Sequence, residues 1–166
     1  MTEYYTGEDL MRALKQGQVR RFDLTESASD NHLEPEAEPA RLLGKSFERV
    51  NEVRSGLPYT ELELLQAVVA LSAAEMAKVL AIPERTLARR KNDGKLTAEE
   101  SDRLDRVLRV VNLGLRVFED DVKLRGWLHA PNRGLGGVVP LELLDTDRGV
   151  RAVEDVLHRL EHGIFG

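Results

Sequence analysis

Two copies of one helix-start motif restrict what this chain can fold into. Ser72-Ala73-Ala74-Glu75 and Thr97-Ala98-Glu99-Glu100 both place a hydroxyl residue three positions before a glutamate. In such a capping box, each of the two side chains accepts a hydrogen bond from the other residue's backbone N–H at the first helical turn. Apolar residues recur at helical spacing behind both motifs, which therefore predict two helix starts.

Helical patterning continues along most of the chain from Arg41 onward. The longest predicted helix covers about residues 97–118 and carries one apolar stripe. A second helical stretch ends near Trp127, and a final helix is predicted over residues 148–162. Only residues 135–139 are candidates for local strand pairing. We therefore predict an all-α fold.

Composition sets the first forty residues apart from the rest of the chain. Residues 1–40 are predicted to be an N-terminal arm and an acidic linker, because residues 23–39 hold six carboxylates and no lysine or arginine. The alternative is an acidic arm that folds against a partner. The whole chain carries a net charge of −5, so the remainder carries +1. A local basic face can still bind phosphates, since screening limits charge effects to about 8–10 Å.

Residues 71–91 have the pattern of a helix-turn-helix unit, in which the second helix lies in the major groove of DNA. The turn is apolar, and Pro83 suits the start of the second helix. Ile82, Leu87 and Ala88 are expected to face the core. The predicted DNA-binding residues are Arg85, Thr86, Arg89, Arg90 and Lys91, because arginine forks bind phosphates and guanine edges. Lys95 and Arg103 would extend this footprint. The alternative is a solvated basic helix.

Glycine and proline punctuate the C-terminal region, which holds the one tryptophan. We expect Trp127, Leu135, Pro140, Leu144 and Val153 to build the domain itself. Contact with a partner protein is instead predicted at the chain's exposed end, at Arg159, Glu161, His162, Gly163, Ile164, Phe165 and Gly166. The alternative for this end is a frayed terminus.

The segment from His158 to His162 matches the H-x-x-E-H pattern of some zinc peptidases. A catalytic zinc normally needs a third protein ligand and an open position, and only His129 or His32 is left to serve as that third ligand. We therefore interpret this segment as a polar helix surface. We expect no metal, no cofactor, no catalytic residue and no enzyme activity.

The motifs together resemble the Xre/MbcA/ParS-type antitoxins, the partners of RES-domain toxins. Residues 80–90 and 96–104 are similar to the Xre-like helix-turn-helix region, and residues 127–163 to the C-terminal toxin-binding domain. The resemblance implies an Xre-like helix-turn-helix bundle over 41–110, followed by a small, mostly helical toxin-binding domain over 111–166. Gly114 and Gly126 stand where the family usually has alanine. Each glycine costs about 1 kcal/mol of helix stability. The two glycines therefore put the continuity of the helix near Trp127 in doubt.

The resemblance also implies a function. It predicts an antitoxin of a type II toxin–antitoxin system that occludes the active site of a RES-domain, NAD-consuming toxin. It further predicts repression of its own operon through operator DNA, by a homodimer within a larger toxin–antitoxin complex. The absence of a signal pattern and of a long apolar run favours a cytoplasmic protein without a membrane partner. The alternative is a stand-alone helix-turn-helix regulator whose C-terminal module dimerises or senses a ligand.

Overall fold

Helices make up most of the computed structural model, which describes the backbone of residues 38–163 and the side chains from Phe47 onward. Between residues 38 and 163 no strand forms, and the β-type pairing consists of isolated bridges, Pro58 with Lys95 and Asn132 with Val138. The predicted all-α class is therefore confirmed for this part of the chain. The helices are α1 (Glu38–Ser55), α2 (Tyr59–Val69), α3 (Ala73–Val79), α4 (Glu84–Asp93), α5 (Ala98–Phe118), α6 (Asp121–Leu128) and α7 (Asp147–Glu161), with 3₁₀ turns at Arg133–Leu135 and Pro140–Leu143.

Both predicted capping boxes are present. The hydroxyl of Ser72 accepts from the Glu75 N–H at 3.2 Å, and the Glu75 carboxylate accepts from the Ser72 N–H at 2.8 Å. Thr97 and Glu100 form the same pair of bonds at 3.3 and 2.9 Å. Each box satisfies backbone donors that have no partner within the first turn. These bonds explain why α3 and α5 begin where the sequence predicts.

The first described helix begins at Glu38, inside the segment that the sequence assigns to the linker. Pro39 then lies in the first helical turn, where a missing N–H breaks no intrahelical bond. Arg49 joins this helix to two others: its Nε lies 2.7 Å from Asp105 in α5, and its Nη2 lies 2.9 Å from Glu61 in α2. The rest of the arm and linker, residues 1–37, lies outside the described residues.

The long helix α5 is the centre of the packing and contacts α1, α2, α6 and α7. Its buried stripe includes Leu104, Val107, Val110 and Val111, all at most 1% exposed. One apolar cluster continues from α2 through α5 to Leu157 of α7. Because α5 crosses the predicted division between residues 110 and 111 without a break, the two regions share one core.

The two unusual glycines do not interrupt their helices. Gly114 lies within α5 and Gly126 within α6, and the break between these helices falls at Glu119, whose φ is 52°. A Cβ on Gly114 would lie 2.4 Å from Cδ1 of Leu124. This glycine therefore allows α6 to approach α5 closely. The doubt about helix continuity near Trp127 was wrong, because α6 runs through Gly126 and a propensity cost of about 1 kcal/mol does not by itself end a helix.

Candidate nucleic-acid and partner interfaces

Helices α3 and α4 form the predicted helix-turn-helix unit. They are joined by Leu80, Ala81 and Ile82, and the Ile82 N–H donates to the carbonyl of Ala77 at 2.9 Å. Ala81 adopts a φ of 51°, in the left-handed region that usually favours glycine. Pro83 immediately precedes α4 in an extended conformation, and Gly94 ends the helix with a φ of 69°. The turn thus sets the direction in which α4 leaves α3.

Helix α4 is anchored in the core by a single side chain, that of Leu87, which is 5% exposed. Ile82, in the preceding turn, is half-buried and packs against the core. The expectation that Ala88 faces the core was wrong, because Ala88 follows Leu87 on the helix and lies on its exposed side. Most of the α4 surface is therefore available to solvent or to a partner.

Arg85 and Arg89 are exposed on α4 and lie four residues apart, hence on one side of the helix. Within the described part of the chain, neither arginine forms an ion pair or a side-chain hydrogen bond. Thr86 is half-buried between them. Lys91 is exposed, with its Nζ 3.3 Å from a carboxylate oxygen of the exposed Glu63. These four predicted DNA-binding residues lie where a phosphate backbone can reach them.

Arg90, the fifth predicted residue, is oriented differently. Its Nε lies 2.6 Å from Glu100 and its Nη1 lies 3.1 Å from Asp93, and its side chain is only 16% exposed. Burial raises the pKa of Glu100, but hydrogen bonds from Arg90 and from the Thr97 N–H outweigh it, so that pKa lies below its ordinary value. Glu100 is therefore ionised at neutral pH and holds the Arg90 guanidinium toward α5.

Arg103, expected to extend the phosphate footprint, is half-buried and contacts the turn before α4. Its Nη1 donates to the carbonyl of Leu80 at 2.9 Å and approaches that of Ala81 at 3.5 Å. These carbonyls lie at the end of α3, where backbone acceptors lack intrahelical partners. Lys95, by contrast, is exposed just beyond α4.

The C-terminal module is built around the residues that the sequence assigned to its interior. Pro140, Leu144 and Val153 are buried, while Trp127 and Leu135 are half-buried and pack against the core. The Trp127 ring lies 5.7 Å from that of Phe118, centroid to centroid. These side chains shape the module, and their burial leaves them little surface for a partner.

The end of α7 is exposed. Arg159, Glu161 and His162 all reach solvent, and Gly163 follows with a φ of 66°. The Nε of Arg116 in α5 lies 3.8 Å from one oxygen of Glu161, and Nδ1 of His158 lies 3.3 Å from the other. The other three residues of the predicted partner-binding end, Ile164, Phe165 and Gly166, lie outside the described residues.

Two family models match consecutive parts of the chain. The "Antitoxin Xre-like helix-turn-helix domain" matches residues 48–109, and the "Antitoxin Xre/MbcA/ParS C-terminal toxin-binding domain" matches residues 113–163. The protein "Antitoxin Xre" of Yersinia enterocolitica is 35% identical over 118 residues, which cover 70% of this chain and 80% of that protein. The chain belongs to the Xre antitoxin family. It is an antitoxin of a toxin–antitoxin system, and its C-terminal domain implies a toxin partner.

Other relatives agree with this assignment. "Antitoxin Xre" of Photorhabdus laumondii is 35% identical over 114 residues, covering 68% of this antitoxin and 77% of its own length. A more distant relative from Sphingobium, named "Prs ADP-ribosylating antitoxin", is 25% identical over 141 residues, covering 79% of this chain and 89% of that protein. Across residues 38–163, the antitoxin has no helix that is both long and apolar enough to cross a membrane.

The histidine pair of α7 lies beside a carboxylate in this antitoxin. One ligand atom from each of His158, Glu161 and His162 lies within 4.8 Å of the others, and all three residues are exposed. The guanidinium of Arg116, 3.8 Å from Glu161, is a competing cation there. Electrostatically, Arg116 already partly neutralises the carboxylate that a metal would need. The interpretation of this segment as polar helix surface stays a prediction.

Proposed function

We propose that this antitoxin neutralises a RES-domain, NAD-consuming toxin by covering its active site with the end of α7 and the residues that follow. The observation that carries the proposal is the match of residues 113–163 to a toxin-binding domain whose final helix has an exposed end. The proposed contact residues are Arg159, Glu161, His162, Gly163, Ile164, Phe165 and Gly166. Charged and apolar side chains together suit a pocket with a polar entrance.

NAD as the toxin's substrate is supported by a relative. The name of the Sphingobium protein refers to ADP-ribosylation, a transfer for which NAD is the usual donor. Neutralisation in this scheme requires only that the antitoxin occupies a surface. The antitoxin accordingly acts as a non-enzymatic inhibitor in the cytoplasm.

The toxin-binding proposal is tested by co-purification of the antitoxin with the proposed RES-domain toxin. The full-length chain should retain the toxin, whereas a chain that stops after His162 should lose most of it. Arg148→Ala is a matched control, because Arg148 is exposed at the opposite end of α7, about 20 Å away at 1.5 Å per residue. Failure of the full-length chain to retain the toxin would contradict the proposal.

We also propose that the antitoxin represses its own operon as a homodimer. Helix-turn-helix proteins commonly read two half-sites with two copies of the second helix. Arg85, Thr86, Arg89 and Lys91 are the proposed contacts of α4 with operator DNA, and Arg90 is proposed to support them. The exposure of Arg85 and Arg89 and the absence of carboxylate partners for them among residues 47–163 support this role.

Arg89→Ala should weaken binding to a duplex from the region upstream of the antitoxin gene. It should also reduce the slope of log affinity against log salt by about 1, because one phosphate contact is lost. Arg148→Ala, which removes a charge in the C-terminal module, should change neither quantity. An unchanged slope for both Arg85→Ala and Arg89→Ala would remove α4 from the DNA interface.

A stand-alone regulator is the alternative function. The chain that stops after His162 distinguishes the two functions, because an antitoxin truncated there should lose toxin binding while keeping DNA binding. A stand-alone regulator should bind DNA without binding any toxin in the first place.

A further inference from the structure

Helix α5 contacts the helix-turn-helix unit of α3 and α4 at two places, one near the C-terminal end of α4 and one in the turn before α4. We infer that these contacts hold α4 in the orientation that DNA binding requires. Arg90 and Arg103 are then positioning residues, not phosphate ligands. Arg90 of α4 pairs with Glu100 of α5, and Arg103 of α5 donates to the Leu80 carbonyl in the turn before α4. The inference rests on the proposed DNA binding and assigns roles that the sequence pattern alone does not distinguish.

The need for positioning follows from how weakly α4 is anchored. Leu87 is its one buried side chain among the described residues, and backbone hydrogen bonds hold the chain at both ends of α4, from the Ile82 N–H to the Ala77 carbonyl and from the Tyr59 N–H to the Gly94 carbonyl. Base contacts are directional, since side chains must meet base edges at hydrogen-bond distance. With one apolar contact, α4 depends on its two ends for its orientation, and side-chain contacts there add to the restraint.

The first restraint lies in the last turn of α4. Arg90 directs its Nε to Glu100 at 2.6 Å and its Nη1 to Asp93 at 3.1 Å. The Glu100 side chain is only 6% exposed and also accepts from the Thr97 N–H. Turning Arg90 toward a phosphate would leave this carboxylate largely buried without its cation, which is strongly unfavourable. Arg90 thus stays on α5 while Arg89, its neighbour, faces outward.

The second restraint lies in the turn before α4. Arg103 donates to the carbonyl of Leu80 at 2.9 Å, next to Ala81 with its positive φ. A residue with a side chain is strained in the left-handed region, so the turn needs support from its surroundings. A charge-assisted hydrogen bond from Arg103 supplies that support. Arg90 and Arg103 thereby fix α4 near its C-terminal and N-terminal ends.

The decisive variant is Glu100→Gln. Glutamine keeps the capping-box bond to the Thr97 N–H but removes the charge that holds Arg90. If only charge mattered, losing a carboxylate near DNA would strengthen binding. Positioning predicts the opposite, a loss of about tenfold in affinity, or about 1.4 kcal/mol, for the duplex from upstream of the antitoxin gene.

Glu99→Gln is the matched control. Glu99 lies in the same first turn of α5, is exposed, and has no ion-pair partner within the described region. The Glu99→Gln substitution removes the same charge as Glu100→Gln but leaves the contacts of Arg90 unchanged. The affinity for DNA should therefore stay equal or rise slightly. Arg90→Lys adds a second comparison, because it keeps the positive charge but cannot reach both carboxylates with one planar fork.

The salt dependence of binding separates positioning from phosphate contact. Arg90→Ala and Arg103→Ala should weaken binding with an unchanged salt slope, whereas Arg89→Ala should lower the slope by about 1. Far-UV circular dichroism and thermal unfolding establish that each variant is folded. Arg103→Ala leaves the capping box intact, so it tests the inference even if Glu100→Gln impairs folding.

Two results would overturn the inference. One is an affinity for Glu100→Gln equal to that for Glu99→Gln, and the other is a salt slope for Arg90→Ala that falls as it does for Arg89→Ala. Both measurements require that the unaltered antitoxin binds its upstream DNA specifically. If the unaltered chain does not bind its upstream DNA, the proposed repression and this inference fail together.

Discussion

At the scale of single residues, neighbouring arginines on one short helix have different roles. Arg89 is exposed, while Arg90 lies against Glu100 on another helix and is 16% exposed. Their sequence neighbourhoods are nearly the same, so composition and local spacing assign both to DNA. The difference arises because successive residues on a helix point in directions about 100° apart. One of those directions meets α5 and the other meets solvent.

The lowered pKa of Glu100 gives a prediction for stability against pH. Its pKa in the folded state lies below the ordinary value of 4.5, so ionisation of Glu100 stabilises the fold above about pH 4.5. That contribution is lost as the pH falls through the lower, folded-state pKa. The free energy of unfolding, measured with urea, should therefore decrease less between pH 7 and pH 3 for Glu100→Gln than for the unaltered chain. Parallel decreases would contradict the assigned role of this ion pair.

At the scale of elements, the helices that the sequence predicts best are those with local start signals. Both capping boxes were predicted, because their hydrogen bonds join residues three positions apart. The Arg90–Glu100 and Arg103–Leu80 contacts were not predicted, because they join different helices and depend on the angle between them. The close approach of α6 to α5 at Gly114 was not predicted either, because helix propensity carries no information about the distance to a neighbouring helix.

The two helical glycines give a matched pair of predictions. Gly126→Ala should stabilise the fold by up to about 1 kcal/mol, because its Cβ would meet no atom within 4 Å and helix propensity improves. Gly114→Ala should instead destabilise it by about 1–2 kcal/mol, since the new Cβ would lie 2.4 Å from the buried Leu124 side chain. Thermal unfolding of both variants checks this. Equal stabilisation by both would mean that α6 is not packed closely on α5.

At the scale of the whole molecule, the helix-turn-helix unit and the toxin-binding module are parts of one helical body. Helix α5 provides Glu100 and Arg103 to the first, and Gly114 and Arg116 to the second. The division between residues 110 and 111 therefore separates two proposed functions but not two cores. Sequence similarity identifies the family for each half. The packing of the halves against the same helix becomes visible only in the structure.

The homodimer is a further prediction for the whole molecule. Two copies are expected because a helix-turn-helix dimer reads half-sites about 34–36 Å apart. Light scattering at micromolar concentration should give twice the chain mass of 18.7 kDa for the free antitoxin. DNase footprints on the upstream region should then show two protected half-sites one helical turn apart. A monomer with a single protected site would contradict the proposed mode of repression.

The central claim is inhibition of an NAD-consuming toxin by the exposed end of α7. Its most direct test is the rate of NAD consumption by the proposed RES-domain toxin, measured against increasing antitoxin. The full-length chain should abolish consumption at a stoichiometric ratio, and Arg148→Ala should do the same. The chain that stops after His162 should leave most of the activity. Undiminished NAD consumption in the presence of excess full-length antitoxin would contradict the account.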